Sequence, residues 1–498
     1  MKAPARMLAV CVAGAPFVCA PVANAADVPT GSTNDDVAAA PLGFNQGGTS
    51  GSASPHNFFT YGADAGIGYS DNITETSTNK RSDEMLSIGL QLAGLEQDAR
   101  FQGAVLGQLE HLNYLQSTYG PEVIGNLGGY ASYAVVPDYV HWVAQDSFGQ
   151  GLIDPFVSQA PGNLENINTF TTGPTFTIPV GALTLLSVSA RYSRVYYQVS
   201  PLDSNDYGGA LSLTRLLSAR SRISVNVQDE RYEYTYATNP SYDQREAFVR
   251  YDMQGARTHI AADLGYGQFH GPQGVDSGGA LGRLSISRTV AEGSVVSLAA
   301  GRELSNSSNF LTQYQSTSGI GLQVTPGQQS ATPFTNEYES LGWSFVRRRT
   351  TLTANLSHYL QVFDGRPDLD QSATNADARL SRLVYPGWTA GLFADYSKQS
   401  FASFRQLLPF QRQTGNYTQE HAGVYVRWQP ARKLGVTFEY DHYHRNSDQA
   451  LYTFSENRLW VRLYYGSATP NGPLGSGDQS PAMSVINTDR FSIPAPAH

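Results

Sequence analysis

Charged side chains recur at every second position inside otherwise oily runs of this sequence. Arg191, Arg250, Arg283, Arg379, Arg427, Arg458 and Arg462 supply cations in this way, and Glu230, Asp252, Asp263, Asp377, Asp395, Glu439 and Asp441 supply anions. Guanidinium and carboxylate groups carried on one face of successive strands can hold water, ions and polar solutes without making or breaking a bond. Neither sign dominates this set, which predicts weak ion preference and many hydrogen-bonding groups, a lining suited to neutral or mildly charged carbohydrate. The plain alternative is that the charges pair across a wall and fill an interior.

Other chemistry has little support. His442 and His444 stand two apart beside Asp441, the spacing of a strand-borne metal pair, but both imidazoles share the parity of Phe438 and Tyr440 at an aromatic rim, so no metal site is expected. There is no GxSxG elbow, HExxH helix, phosphate-binding glycine loop or Cys/His set, hence no expected catalytic residue and no cofactor. Scattered Ser, His and Asp can still converge in space, which leaves a membrane-embedded hydrolase as a third reading. Two polar segments, Ser147 to Glu165 and Ser305 to Thr335, are long enough to constrict an opening. The second carries Phe310 and Tyr314 among Ser, Gln and Thr, a composition that stacks on sugars and hydrogen-bonds to them; a mobile external loop is its bland counterpart.

The elements that must position these side chains follow one rule. In Thr351 to Phe363, Leu352, Ala354, Leu356, Leu360 and Val362 share one face, while Thr353, Asn355, Ser357, Tyr359 and Gln361 share the other. That is a strand, oily outside and polar inside. A first strand is expected at Phe58 to Ser70 and a second at Met85 to Leu95. Short turns then follow at GLEQDA, VVPDY, PVGAL, LLSARS, QGART, VAEGS, VRRRTT, YPGWT and QPARKL. Their centres lie roughly 35 to 57 residues apart, room for two strands and one longer loop. Short and long connections therefore alternate, as in antiparallel hairpins standing in a membrane. The expected fold is all-β: a transmembrane antiparallel up-and-down barrel of about 18 to 20 strands over residues 57–466, with short periplasmic turns and longer extracellular loops.

Strand length and charge position separate this from a soluble sandwich. A lipid band of about 25 Å crossed at about 40° needs around ten residues per strand, whereas globular strands run to about five or six. Arg191 lies with Ser187, Ser189 and Ser193 opposite Leu186, Val188, Ala190 and Tyr192. Arg283 lies with Ser285 and Ser287, and Arg458 and Arg462 oppose Leu459, Val461 and Leu463. An arginine turned to mid-membrane lipid costs about 2 to 4 kcal/mol, so the register has little freedom. Aromatic residues gather near strand ends, and two headgroup belts are expected: Tyr196, Tyr197, Tyr232, Tyr234, Tyr359 and Phe363 on the long-loop side, and Tyr139, Trp142, Trp343, Phe345, Trp388 and Trp428 near the short turns.

The start of the chain reads as a secretory signal over residues 1–25, with Lys2 and Arg6, an apolar run from Met7 to Val22 and Ala23-Asn24-Ala25 as a cleavage site. Both cysteines, Cys11 and Cys19, fall inside it, leaving the mature chain without a thiol. Residues 26–56 read as a flexible periplasmic leader, too short for a plug, and 467–498 as a tail rich in Pro, Gly and Ser. Many barrels end on an aromatic residue that serves as an assembly signal; here either Tyr464-Tyr465 or the region near Phe491 would have to serve. No run of about 18 apolar residues follows the signal, and 41% apolar with 15% charged residues fits neither a helical membrane protein nor a disordered chain. A net charge of -9 gives no footprint for nucleic acid.

GIGYSDNI at Gly66 to Ile73 resembles the opening strand of the β-barrel porin type 2 family of Gram-negative outer membranes, and VQDERYEY at Val227 to Tyr234 is similar to that family's mid-barrel strands. The resemblance spans about Phe58 to Gly466. It implies a cell outer-membrane barrel and, for some relatives, association with exopolysaccharide synthesis and export loci; it implies no catalytic residue. The function expected is a porin-like channel for hydrophilic solutes with a role in exopolysaccharide or oligosaccharide export. A non-conducting docking barrel in a polysaccharide-secretion assembly is the alternative. The expected partners are outer-membrane lipid, a hydrophilic solute such as carbohydrate, and polysaccharide-export proteins.

Overall fold

Strict alternation over long runs leaves the backbone one solution in lipid: every strand must find two neighbours, so the sheet must close. It does. The computed structural model describes residues 58–271, 276–309, 324–325, 329–402 and 415–466. The leader, the tail, Phe310 and Tyr314 lie outside the described residues.

The strands in chain order are β1 (Phe58–Ser70), β2 (Asp83–Gln97), β3 (Phe101–Tyr114), β4 (Glu122–Val136), β5 (Val140–Leu152), β6 (Leu164–Gly181) and β7 (Thr184–Tyr197). Next come β8 (Ser204–Ser218), β9 (Ser221–Tyr234), β10 (Tyr242–Gln254), β11 (Thr258–His270), β12 (Asp276–Ala291) and β13 (Ser294–Ser305). After a two-residue strand β14 (Val324–Thr325) follow β15 (Phe334–Arg347), β16 (Thr350–Phe363), β17 (Gln371–Tyr385), β18 (Trp388–Phe401), β19 (Tyr417–Ala431), β20 (Leu434–Ser447) and β21 (Phe454–Gly466). Leaving out β14, twenty strands pair antiparallel with their chain neighbours, and β1 pairs with β21 from Gly62↔Gly466 to Ser70↔Arg458, closing the ring. At about 4.8 Å between strands and a tilt of about 40°, such a ring is about 40 Å across.

All nine short turns fall where the sequence places them. The chain reverses there by left-handed backbone at Asp138 (φ 66°), Gly293 (φ 71°), Arg348 (φ 47°) and Gly387 (φ 78°), which matches the right-handed strand twist. Gly293 is obligatory, because a side chain there would run into the carbonyl of Val346. The second strand is longer than expected at both ends, and the first constricting segment is shorter. Ser147 to Leu152 belong to β5 and Leu164 and Glu165 to β6, leaving 153–163 as the loop. Alternation carries those flanks well above the lipid zone, so polar composition there marks strand and not loop.

The wall is two-faced as the parity requires. On β21, Leu459, Val461, Leu463 and Tyr465 are 53, 42, 51 and 55% exposed on the outside, while Trp460, Arg462 and Tyr464 are 7, 6 and 4% exposed within. The seam works because β1 presents glycine to these large inner side chains. A Cβ at Gly68 would stand 2.7 Å from the Trp460 ring, and one at Gly62 would strike Tyr464. The GIGY segment therefore supplies space as well as a strand.

Toward the long loops the outer face turns from oily to charged. Along β9, Ile223, Val225 and Val227 give way to Asp229, Arg231 and Glu233. Arg231 bonds Asp243 of β10 at 3.1 Å, and Arg245 reaches Asp229 at 3.4 Å. On β9 and β10 the strands thus outrun their apolar band and carry a charged collar segment.

The aromatic belts need one correction. Near the short turns Tyr139, Trp142, Trp343, Trp388 and Trp428 are exposed on the outside, and Trp388 and Trp428 stack with ring centroids 5.9 Å apart. On the other side Tyr197, Tyr232, Tyr359 and Phe363 point inward and are buried, and Tyr234 packs against them. Each has the parity of inward polar neighbours, and their contacts are made beneath the loops. Tyr69, Tyr192, Tyr196, Tyr207 and Tyr266 are among the rings exposed outside on that flank.

Candidate functional site

Twenty inward faces surround the lumen, and two loops enter it at the long-loop end. Between β5 and β6, residues 153–163 curl around Asn163, whose side-chain amide donates to the carbonyls of Asp154 (2.7 Å) and Ser158 (2.9 Å) while its Oδ1 accepts from the Asp154 N–H (2.9 Å). This compact loop reaches across to β20. Arg445, fully buried, donates from Nη1 to the Val157 carbonyl and from Nη2 to the Phe156 carbonyl, both at 3.0 Å, and its guanidinium lies 3.7 Å from the Tyr417 ring centroid. The Phe156 ring packs on Phe401 at 4.8 Å.

The segment between β13 and β15 enters from the far side. Asn309 donates to the Tyr232 hydroxyl (3.0 Å), Tyr197 donates to Gln329 (3.4 Å), and Ala331 sits in a cluster with Ile167, Val195, Tyr197 and Leu202. Val324–Thr325 lies parallel to Gln150–Gly151, where β5 has run past its last pair with β4, Leu127↔Phe148. β5 is eight or nine strand positions from β13 and β15 in the ring, close to diametrically opposite. Both segments that the sequence marks as constrictions therefore contribute to the inside of the mouth.

Below them the charged side chains meet in three groups. In the first, Arg250 grips Asp263 with two bonds of 2.7 and 2.8 Å, and Arg283 bonds Glu246 at 2.8 Å and forms ion pairs with Glu303 at 3.1 Å and Asp263 at 3.7 Å. Phe248 lies under both guanidiniums. Asp252 pairs nearby with Arg222 (3.4 Å) and His259 (3.2 Å). In the second, Arg379 bonds Asp395 at 2.8 Å, and His421 stands between Asp395 (3.1 Å) and Asp441 (3.8 Å), stacked on Tyr443 at 3.9 Å. Asp377 accepts from Asn355 at 2.9 Å.

The third group joins β21 to the loops. Arg462 bonds Glu439 at 3.3 Å, approaches Glu110 at 3.9 Å and covers Trp460. Arg458 forks onto Glu456 (2.7 and 2.8 Å) and reaches Glu75 in the β1–β2 loop at 3.1 Å. Burial, with Glu456 close by, pushes the Glu75 carboxyl up to about 7 despite Arg458, Arg445 and Ser158. Arg191 donates to the Pro174 and Ala190 carbonyls and to the Thr175 hydroxyl. Arg427 lies over Tyr425, and Glu230 accepts from Tyr232 at 2.7 Å.

The fourteen residues expected from parity thus sit on the inner face, and most are engaged by neighbours. Sequence reasoning overlooked Asp64, Glu110, Glu246, Glu303, Glu456, Arg222, His421 and Arg445, although the same alternation marks them. Their inclusion tilts the expected balance of sign to twelve carboxyl groups against nine arginines, and among the described residues that are buried the count is thirteen to five. Several of the arginines lie over aromatic rings, among them Arg379 over Phe393 and Arg458 over Tyr443. His442 and His444 bond Asn457 and Ser455 on the outer face, whereas Asp441 points inward, so the three do not converge. A lining of this kind offers hydrogen-bonding and charged groups that can hydrate and hold a polar solute.

No family model matches the sequence, and no curated protein matches it. The porin type 2 resemblance therefore rests on its two short motifs. Among solved structures, the ferric enterobactin receptor of Pseudomonas aeruginosa, in a doubly substituted form, is 9% identical with a TM-score of 0.41, covering 82% of this chain and 81% of that one. The FrpB iron transporter of Neisseria meningitidis, an F5-1 variant, is 10% identical with a TM-score of 0.42 over 82% of each chain. The siderophore receptor PirA of Pseudomonas aeruginosa is 13% identical with a TM-score of 0.38 over 83% and 81%. At these values the superpositions are loose, and the closed barrel stands on its own strand register.

Proposed function

We propose that this chain is an outer-membrane channel for hydrophilic solutes, not an enzyme, constricted at its mouth by its own loops. The observation that carries this is the ring itself: apolar side chains exposed outward and hydrogen-bonding side chains inward on all twenty strands. A surface of that kind is stable only in a bilayer, and Gram-negative outer membranes are where such single-chain barrels reside. The short turns would then face the periplasm. The family resemblance adds oligosaccharide or exopolysaccharide traffic as the leading solute class. Planar-bilayer recording of the purified full-length protein tests this: steady openings that added oligosaccharide blocks are expected, and lasting silence from correctly folded protein would remove the reading.

A second reading is favoured by the packing of both loops in the mouth. If those loops stay in place, the same barrel serves as a non-conducting dock for polysaccharide-export proteins. Silence in the bilayer together with retention of such a partner on the folded barrel would select it.

A further inference from the structure

The sign of the lumen has a consequence for what can pass. Thirteen buried acidic side chains, of which Glu75 is partly protonated at neutral pH, face five buried arginines, and the half-buried arginines Arg222, Arg250, Arg283 and Arg458 reduce that excess without cancelling it. Several of the acids are held by neutral donors and not by arginine. Asp83 accepts the backbone N–H groups of Gln116 (2.8 Å) and Thr118 (3.2 Å). Glu165 accepts those of Val199 (3.0 Å) and Ser200 (2.8 Å) and the Ser200 hydroxyl. An amide N–H stabilises a carboxylate without bringing a compensating positive charge, so an acid held this way adds no arginine to the wall. Asp64 is the acid left open to a passing donor: it is 5% exposed, it stands near Arg462 and Glu110, and neither carboxyl oxygen has a hydrogen-bond partner.

We propose that the lumen favours cationic and neutral solutes over anionic ones, so that among saccharides it passes neutral or amino sugars in preference to acidic chains. This rests on the conduction reading above and narrows it. A low-dielectric wall carrying one sign in excess focuses its field into the aqueous space, raising the local concentration of the opposite charge. The effect is strongest where the loops narrow the mouth, because salt screens charges beyond about 10 Å at 0.1 M and about 3 Å at 1 M.

The test is the reversal potential of the full-length protein in a planar bilayer under a KCl gradient. We expect potassium to be favoured over chloride by about threefold or more near 0.1 M, with the ratio falling toward one near 1 M. Asp64→Asn combined with Glu110→Gln is expected to lower the ratio at the same single-channel current amplitude. Conduction with a zero or chloride-favouring reversal potential near 0.1 M overturns this inference and leaves the channel standing. A folded barrel that never conducts overturns both. The wild-type measurement decides the matter even if the double variant fails to assemble.

Discussion

Arg445 and Val157 are 288 residues apart in the chain and 3.0 Å apart in space, joined by a guanidinium-to-carbonyl hydrogen bond. The bond ties the β5–β6 loop to the wall six strand positions away. Arg445→Ala deletes it together with the bond to Phe156 and the stack on Tyr417. Bonds from a charged donor contribute about 1.5 to 3 kcal/mol each, so the loop loses about 3 kcal/mol or more of local anchoring. The expected outcome is a larger or more frequently open conductance with unchanged barrel content by circular dichroism.

Glu75 makes the same mouth sensitive to pH. Its carboxyl is raised from 4.5 to about 7 in the folded protein, so the folded state binds more protons than the unfolded state between those values. Its contribution to stability is therefore fully present below about pH 4.5 and is lost as pH rises through about 7. Glu75→Gln should flatten the pH dependence of loop protection in that window, read by hydrogen exchange of residues 153–163. An unchanged pH profile in the variant would refute this.

Gly68 faces Trp460 across the closing seam, and a branched side chain there has no room. Gly68→Val should cost about 1 to 3 kcal/mol through overpacking and reduce the fraction of heat-modifiable folded barrel on a denaturing gel. Ala65→Val, outward on the same strand, should leave that fraction unchanged.

Val461 is 42% exposed between two inward side chains, Trp460 and Arg462. Val461→Arg is expected to destabilise the barrel in lipid vesicles by about 2 to 4 kcal/mol in a denaturant titration, because it sets a guanidinium against hydrocarbon. Equal stability of variant and wild type would mean that this face does not meet lipid.

The strands and turns were legible because they are local. Alternation from Thr351 to Phe363 and turns such as VAEGS state their structure within a few residues, and their positions hold throughout the described ring. Parity also contained more than composition suggested. Tyr359 shares the face of Ser357 and Gln361 and so points inward, yet grouping it with Tyr196 as a belt residue followed ring chemistry over register. Asp64, Glu246 and Glu303 carried the same inward mark, and reading every strand to its ends would have revealed the acidic excess. The union of Arg445 with Val157 was beyond reach, because it depends on how twenty strands curve round and on which way a loop leans; no short window contains either quantity.

The collar formed by Asp229, Arg231, Glu233, Asp243 and Arg245 bears on how the cell surface would see this protein. Hydrogen-bonded sheet that continues past the hydrocarbon presents a stiff parapet in place of swaying tips. An antibody or phage tail approaching β9 and β10 from outside would meet ionic groups borne on paired strands, and recognition there would carry less entropic penalty than on a free loop.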